Sequence, residues 1–372
     1  MPIPGRAALL AGLGALALVA AAAPASAQAG RDLPTRLPAG VVVDPKAPPL
    51  PDGITAAAWT VADLETGQVL AAKDAHAQHA PASTLKVLTT LALLPEVPKD
   101  EVVVPVQADI DVEGSKVGLL RDVPYTGEQL YSALLMASGN DTANVLATAA
   151  GGQVAAAETM NRTAADVGAV DTRAVNQHGL DAEGQVSTPY DLAAIARAAL
   201  EQPDIARWVT MRRSAMPGKP GEAGFEIYNH NKLLGSYEGA LGVKNGYTSR
   251  ARASFIGAAE RDGRRLVVTL MRAEPRVWAE AALLLDWGFA ASAGGALPVA
   301  ALPPPPPEPV EEPSTVEAVV ETVTDTAVGL TPTADAGSGL GPLPGRELAG
   351  ALLVGATLVA VRPTRRRPRP AR

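Results

Sequence analysis

The chain has 372 residues, 47% of them hydrophobic and 19% charged. That suffices for one large domain or two ordinary ones, and it excludes a wholly disordered protein. There is no Cys and there are four His (His76, His79, His178, His230), which excludes thiol catalysis, disulfide staples, iron–sulfur centres and Cys-rich zinc sites. Net charge is −7, six Arg crowd the last eleven residues, and without them 26 basic groups face 39 acidic ones; an acidic body with 3% aromatics suits neither DNA binding nor base stacking.

In chain order, residues 1–27 read as a secretory signal peptide. Arg6 supplies the positive start, Ala7–Ala23 the apolar stretch, and Ala25-Ser26-Ala27 the small-residue cleavage site. The body runs over residues 46–290. AAAWTVADL, Glu65-Thr66-Gly67 and QVLAAKD predict a hairpin with Gly in its turn. Pro81 precedes an apolar helix from Ser83 to Leu94, a second helix is expected from about Thr126 to Ala137, and another follows a Ser138–Asn144 turn. Ser187-Thr188-Pro189-Tyr190-Asp191 opens a capped helix to Leu200. Gly239–Lys244, Ala253–Glu260 and Leu266–Arg272 read as strands, with Gly263 turning between the last two, and Trp278–Phe289 as a closing helix. Early strands, a helical middle and late strands predict one α+β domain with an antiparallel sheet.

Beyond the body, residues 291–342 read as a linker. Eleven prolines fall between Pro298 and Pro344, no Lys or Arg occurs from Val277 to Gly345, and the acids along it repel one another. Leu348–Val361 is 14 residues without a charge, about 21 Å of helix against a hydrocarbon core of about 30 Å. Extended to residues 343–363 it reads as a membrane anchor, with residues 364–372 as a basic cytoplasmic tail on the inner side. The expected location is therefore the outer face of the cell membrane.

Three short motifs carry candidate chemistry. In Ser83-Thr84-Leu85-Lys86 a Ser and a Lys three apart on a helix share a face. The Ser sits where the helix N-terminus favours developing negative charge, and the Lys, burdened by the same positive end and by burial, is placed to accept the Ser proton. Ser138-Gly139-Asn140 sets a hydroxyl and a carboxamide on a break between helices, suited to proton relay and to gripping an amide. Lys244-Asn245-Gly246 ends a β-like run, where a cation beside an approachable backbone suits an anionic group docking on a strand edge. Each alone also reads as a capped helix, a helix–helix turn and a hairpin turn. The four His share no metal-ligand spacing and read as surface or loop residues; no metal or cofactor is implied.

Together, in order and spacing, these motifs resemble those of the active-site serine penicillin-recognising enzymes, Ser-x-x-Lys, Ser-x-Asn and Lys-Thr-Gly. More closely, the chain resembles the low-molecular-mass D-alanyl-D-alanine carboxypeptidases of peptidase family S11. The similarity covers about Thr55 to Phe289 through APASTLKVLTT, LLMASGNDTANVLA, NQHGLD with STPYDLA, NHNKLLGSYEGALGVKNGYT and LLLDWGF.

The resemblance implies a β-lactamase/penicillin-binding transpeptidase-like fold, with helices on both sheet faces and a helical subdomain. It implies an acyl-enzyme on Ser83 with Lys86 as base. Ser138 and Asn140 would assist proton transfer, and Lys244, Asn245, Gly246, Thr248 and Arg276 would bind substrate. The oxyanion hole would be the backbone N–H groups of Ser83 and Tyr247. Expected partners are peptidoglycan stem peptides and β-lactams. Asn245 stands where the family usually has Thr, and the linker stands where some relatives carry a β-rich domain. A class A-like β-lactamase is disfavoured because Glu158-Thr-Met-Asn161 lacks the Glu-x-x-Leu-Asn spacing. The remaining alternative is a non-catalytic wall-binding scaffold.

Overall fold

The computed structural model describes residues 33–305. The expected signal peptide, anchor and tail, and the linker beyond residue 305, lie outside the described residues. The chain opens with strands β1 (Val41–Val43), β2 (Ala58–Asp63) and β3 (Gln68–Lys73), then a 3-10 turn, Ala82–Leu85, that runs into α1 (Lys86–Leu93). The middle comprises β4 (Val102–Val103), α2 (Gln107–Ile110), β5 (Tyr125–Thr126), α3 (Gly127–Met136), α4 (Asn140–Ala149) and α5 (Gln153–Asp166). It continues through α6 (Pro189–Glu201), α7 (Pro203–Thr210), the ribbon of β6 (Arg213–Met216) and β7 (Phe225–Tyr228), and α8 (Leu233–Ser236). Strands β8 (Ala240–Thr248), β9 (Arg252–Arg261) and β10 (Arg264–Ala273), helix α9 (Val277–Ala293) and β11 (Ala300–Ala301) complete it.

The main sheet has the order β1-β3-β2-β10-β9-β8, with β11 also on β3, and its pairs are antiparallel. The two hairpins turn where expected. Gly67 has φ +72° and Gly263 has φ +75°, conformations that cost a residue with Cβ far more. On β10, Leu266, Val268 and Leu270 pack with Leu284 and Leu285 of α9. The alternate residues Val267 and Met271 join the core of α1, α3 and α6. Both faces are thus buried, which is why β10 reads as a continuous apolar run. Two expected helix starts are fixed by local chemistry. Thr126 Oγ1 accepts from the Gln129 N–H at 3.2 Å while Gln129 Oε1 accepts from the Thr126 N–H at 2.9 Å, a reciprocal cap on α3. Thr188 Oγ1 accepts from the Asp191 N–H at 3.1 Å, with Pro189 in the first turn of α6.

The folded body is longer at both ends than residues 46–290. Val41–Val43 pair with β3 from one side, and Ala300–Ala301 pair with it further along. The first stretch of the expected linker is therefore part of the domain. A buried arginine holds it: Arg197 Nη1 donates to the Pro303 carbonyl at 2.8 Å, while its other nitrogens donate to the carbonyls of Leu64 and Glu65. The proline count hid this, because Leu297–Leu302 has only one proline before a short apolar run that can add to a sheet edge.

Candidate active site

The first motif folds differently at its start from the expected helix. Ala82 has φ +50°, Ser83 lies in the 3-10 turn, and α-helical geometry begins at Lys86. Two glycines explain the tight turn. A Cβ on Gly246 of β8 would lie 2.7 Å from the Ser83 nitrogen, and one on Gly179 would lie 2.1 Å from the Ala82 carbonyl oxygen. The Ser83 turn is thus clamped between a strand and a loop that approach only because both lack a side chain at the contact. From below, Ser254 Oγ donates to the Pro81 carbonyl at 2.6 Å.

Lys86 is fully buried. Its Nζ lies 2.9 Å from Ser83 Oγ, 2.7 Å from Asn140 Oδ1 and 2.6 Å from the His178 carbonyl oxygen. The carboxamide orientation of Asn140 is set from its other side, where Nδ2 donates to the Glu113 carbonyl at 2.6 Å. Burial, and secondarily the charge of Lys244, hold the Lys86 ammonium well below the ordinary lysine value, against an opposing pull from Asp141. Lys244 is also fully buried, and burial lowers it to about 7. Its Nζ donates to the Asn245 carbonyl at 2.9 Å.

The second motif is tighter than a Ser138–Asn144 turn, since α4 begins at Asn140. Ser138 is buried with φ +62°, a strained setting for a side-chain-bearing residue. Asp141, which follows Asn140, is fully buried and accepts from the N–H groups of Val117, Gly118 and Leu119 at 2.8 to 3.1 Å. It thereby holds the loop that carries Glu113 and Ser115, whose carbonyls accept from Asn140 Nδ2 and the Asn140 N–H. Sequence reading singled out Asn140 but missed Asp141 and this loop.

The sequence predicts surface or loop histidines. His178 lies in a loop, half-buried against Lys86, and is lowered to about 4, by burial first and then by Lys86. His230 is lowered by burial and by Lys244. The signal for His178 was present in the NQHGLD segment. Asn176 Oδ1 accepts from the Gly179 N–H at 2.8 Å, and Asn176 Nδ2 donates to the Leu180 carbonyl, so the segment is a stapled turn presenting the His178 carbonyl.

The substrate-side expectations divide. Lys244 and Gly246 sit on the Ser83 face of β8. Asn245, one residue from each, falls on the opposite face by strand alternation, where it lines a cavity with His230, Lys232 and Trp278. Its side chain therefore does not share the face of Lys244, contrary to a simple reading of the triplet. Thr248 Oγ1 donates to Asp181 at 2.9 Å and accepts from the Ala251 N–H, fixing the end of β8. Arg276 is exposed just before α9, and its side chain makes no hydrogen bond or ion pair among the described residues. Tyr247 is 61% exposed near the end of β8. Glu158, the only glutamate near the β-lactamase spacing, is exposed on α5 and joins none of these hydrogen bonds.

The peptidase S11 family, D-alanyl-D-alanine carboxypeptidase, matches residues 44–275. D-alanyl-D-alanine carboxypeptidase DacB2 of Mycobacterium tuberculosis is 46% identical over 250 residues, covering 65% of this chain and 84% of that protein. DacD of Escherichia coli is 31% identical over 256 residues, covering 64% of each chain. A crystal structure of D-alanyl-D-alanine carboxypeptidase from M. tuberculosis is similar with TM-score 0.64 and 43% identity, over 67% of this chain and 96% of that one. The Streptomyces K15 DD-transpeptidase structure is similar with TM-score 0.62 and 26% identity, over 65% and 100%. The clamped serine, the buried lysine pair and the matched length of chain lead to one conclusion: this chain belongs to the D-alanyl-D-alanine carboxypeptidase family, S11, of serine peptidases.

Proposed function

We propose that this chain is an exported serine D,D-carboxypeptidase that removes the terminal D-Ala of peptidoglycan stem peptides through an acyl-enzyme on Ser83, and that penicillins acylate the same hydroxyl. The observation that carries the mechanism is the set of partners around Lys86 Nζ. A neutral amine has two N–H donors and one lone pair. The His178 carbonyl and Asn140 Oδ1 can only accept. They occupy the two N–H groups, so the lone pair is left for the Ser83 hydroxyl at 2.9 Å. Burial, with no carboxylate hydrogen-bonded to it, favours the neutral amine.

The Ser83 proton passes to Lys86 as Oγ bonds to the carbonyl carbon of the penultimate D-Ala. The oxyanion is held by backbone N–H groups of Ser83 and Tyr247. Strand β8 pairs only with β9 within the sheet, so alternate N–H groups face the cleft. The Asn245 carbonyl, which accepts from Lys244 Nζ, belongs to this outward set, and Tyr247 two residues on shares its direction. Lys86 returns the proton through Ser138 to the departing amine as the C–N bond breaks. It then deprotonates the water that hydrolyses the ester. Asn140 holds the substrate amide. Lys244 supplies positive potential on the carboxylate side, Gly246 allows close approach, and Asn245, Thr248 and Arg276 are substrate-side candidates.

Incubating the chain with a peptide ending in D-Ala-D-Ala should release D-Ala. Ser83→Ala should abolish both that release and penicillin labelling. A penicilloyl adduct in the intact mass of Ser83→Ala would overturn the assignment, and failure of the unaltered chain to be labelled would favour a scaffold.

Residues 1–27 would direct export and residues 343–363 would tether the enzyme to the outer face of the membrane, on sequence grounds alone. Among the described residues no helix is long and apolar enough to cross a membrane. Truncation after Gly339 should release active enzyme into the medium. Truncated protein that stays with washed membranes as firmly as the full chain would place the tether elsewhere.

A further inference from the structure

Lys86 Nζ is oriented by two acceptors, Asn140 Oδ1 and the His178 carbonyl, and each acceptor is itself held. Asn140 is held by the carbonyls of Glu113 and Ser115. The His178 carbonyl belongs to a turn that Asn176 staples locally. That staple sets the shape of the turn but not its place against the helices. Its place is set one residue before the carbonyl, by Gln177. This side chain is fully buried. The Gln177 carbonyl accepts from Thr89 Oγ1 at 2.7 Å, and Gln177 Nε2 donates to Asn144 Oδ1. Thr89 follows Lys86 by three residues on α1, and Asn144 follows Asn140 by four on α4. Each gripping side chain therefore stands one turn from a member of the site, on the same helix face.

Asn144 also reaches the other loop. Its Nδ2 donates to the Asp109 carbonyl at 3.2 Å, and Asp109 Oδ1 accepts from Thr148 Oγ1 at 2.6 Å. Asp109 lies in α2, at the head of the segment that leads to Glu113 and Ser115. One buried carboxamide thus joins the loop behind one Lys86 acceptor to the loop behind the other. Core packing alone does not call for these amides. Gln177 Oε1 is buried with no hydrogen-bond donor among the described residues, a cost to stability that a methionine of similar length would not carry. We propose that Gln177 and Asn144 are positioning residues for acylation: they fix both acceptors on Lys86 Nζ, and so aim its lone pair at Ser83, without touching substrate. This inference rests on the serine D,D-carboxypeptidase reading.

The test follows penicillin acylation of the full chain across pH by intact mass, with the unfolding temperature of each variant. Gln177→Met keeps the side-chain length and exchanges one unpaired buried oxygen, Gln177 Oε1, for another, Asn144 Oδ1. Its unfolding temperature should therefore move by less than about 3 °C. Its maximal acylation rate should fall about tenfold, part of the loss that misplacing a reacting group brings. On a peptide ending in D-Ala-D-Ala the loss should fall on kcat, with KM changed by less than about twofold. The acid limb of the acylation profile should also move to lower pH. The His178 carbonyl supports the ammonium more than the amine, so its displacement makes Lys86 easier to deprotonate, while Lys244 and Asp141, the charges that act on it, are unaltered. Thr89→Val should behave in the same way, and Thr89→Ser, which keeps the hydroxyl, should keep the unaltered rate; this pair decides the matter if Gln177→Met does not fold. An unmoved limb with a lowered unfolding temperature would mark a purely structural contact and overturn the inference. Unchanged acylation in Gln177→Met and Thr89→Val would overturn it too. If the unaltered chain is neither labelled by penicillin nor releases D-Ala, the carboxypeptidase reading itself fails, and the inference with it.

Discussion

Two lysines are fully buried in this domain, and their surroundings differ in one respect. Lys86 has three oxygen neighbours within 2.9 Å, contributed by α1's own turn, by α4 and by the stapled loop at His178. Lys244 has one, the carbonyl of the next residue. Burial depresses both, and the charge of Lys244 adds to the depression of Lys86. Burial alone therefore makes a lysine easier to deprotonate. Fixed acceptors on its N–H groups aim the resulting lone pair. In the proposed mechanism one lysine is the base, and the other is a source of positive potential with donors to spare for substrate.

The largest expected effect breaks this contrast at its stronger end. Lys86→Ala should lower penicillin acylation by about 10²–10⁴-fold, the usual range for loss of a general base, with the fold retained by circular dichroism. Lys244→Ala should act mainly on KM for carboxylate-bearing substrates. Equal effects of the two on kcat would erase the distinction. Next comes the clamp on Ser83. Gly246→Ala would put a methyl 2.7 Å from the Ser83 nitrogen and 2.8 Å from Ser254 Oγ. Backbone cannot yield as a side chain can, so acylation should fall about 10²-fold, as for a misplaced reacting group. An unchanged acylation rate would show that the strand moves freely.

Asp141→Asn sharpens the comparison from a distance. The carboxamide retains only one acceptor oxygen where three loop N–H groups now converge. The loss should be about 1–3 kcal/mol of stability, read as a lowered unfolding temperature. Asp141 raises Lys86, so its neutralisation should also move the acid limb of the acylation profile to lower pH. A limb that moves upward would contradict the electrostatic role. The smallest effect is Asn245→Thr. Because this side chain lies on the cavity face, penicillin acylation should change by only about threefold, well under the tenfold that one misplaced charge-assisted hydrogen bond would give. A tenfold change would return the side chain to the face of Lys244.

Much of this arrangement is legible in the sequence, and its limits have physical causes. The two hairpins, the start of α3 near Thr126 and the cap of α6 are local, so a few adjacent residues reveal them. Ser83, Lys86, Ser138, Asn140 and Lys244 were found because three spaced motifs together match one family. The structure brings Lys86 against Ser83 and Asn140, within reach of the Lys244 charge. What escaped was long-range. The His178 carbonyl meets Lys86 across 92 positions, and a backbone oxygen leaves no mark in residue identity. Asp141 is silent for a similar reason, since its partners are main-chain N–H groups whose positions depend on a loop fold. The domain ends were misjudged because a two-residue strand at Ala300–Ala301 is set by the edge of β3 and by Arg197, not by its own composition.

The central claim is that a neutral Lys86 takes the Ser83 proton. It is tested most directly by the pH dependence of the second-order rate of penicillin acylation, followed by intact mass in the unaltered chain and in Lys244→Met. The rate should rise as the lysine pair loses its first proton, well below the ordinary lysine value of about 10.4. It should fall again as Lys244, held at about 7, loses the charge that attracts the carboxylate. Removing the Lys244 charge lets Lys86 hold its proton to higher pH, so in Lys244→Met the rising limb should move upward. A rate that climbs only near pH 10, with the same limb in both proteins, would contradict a lysine base whose neutrality is imposed by burial and by its neighbour.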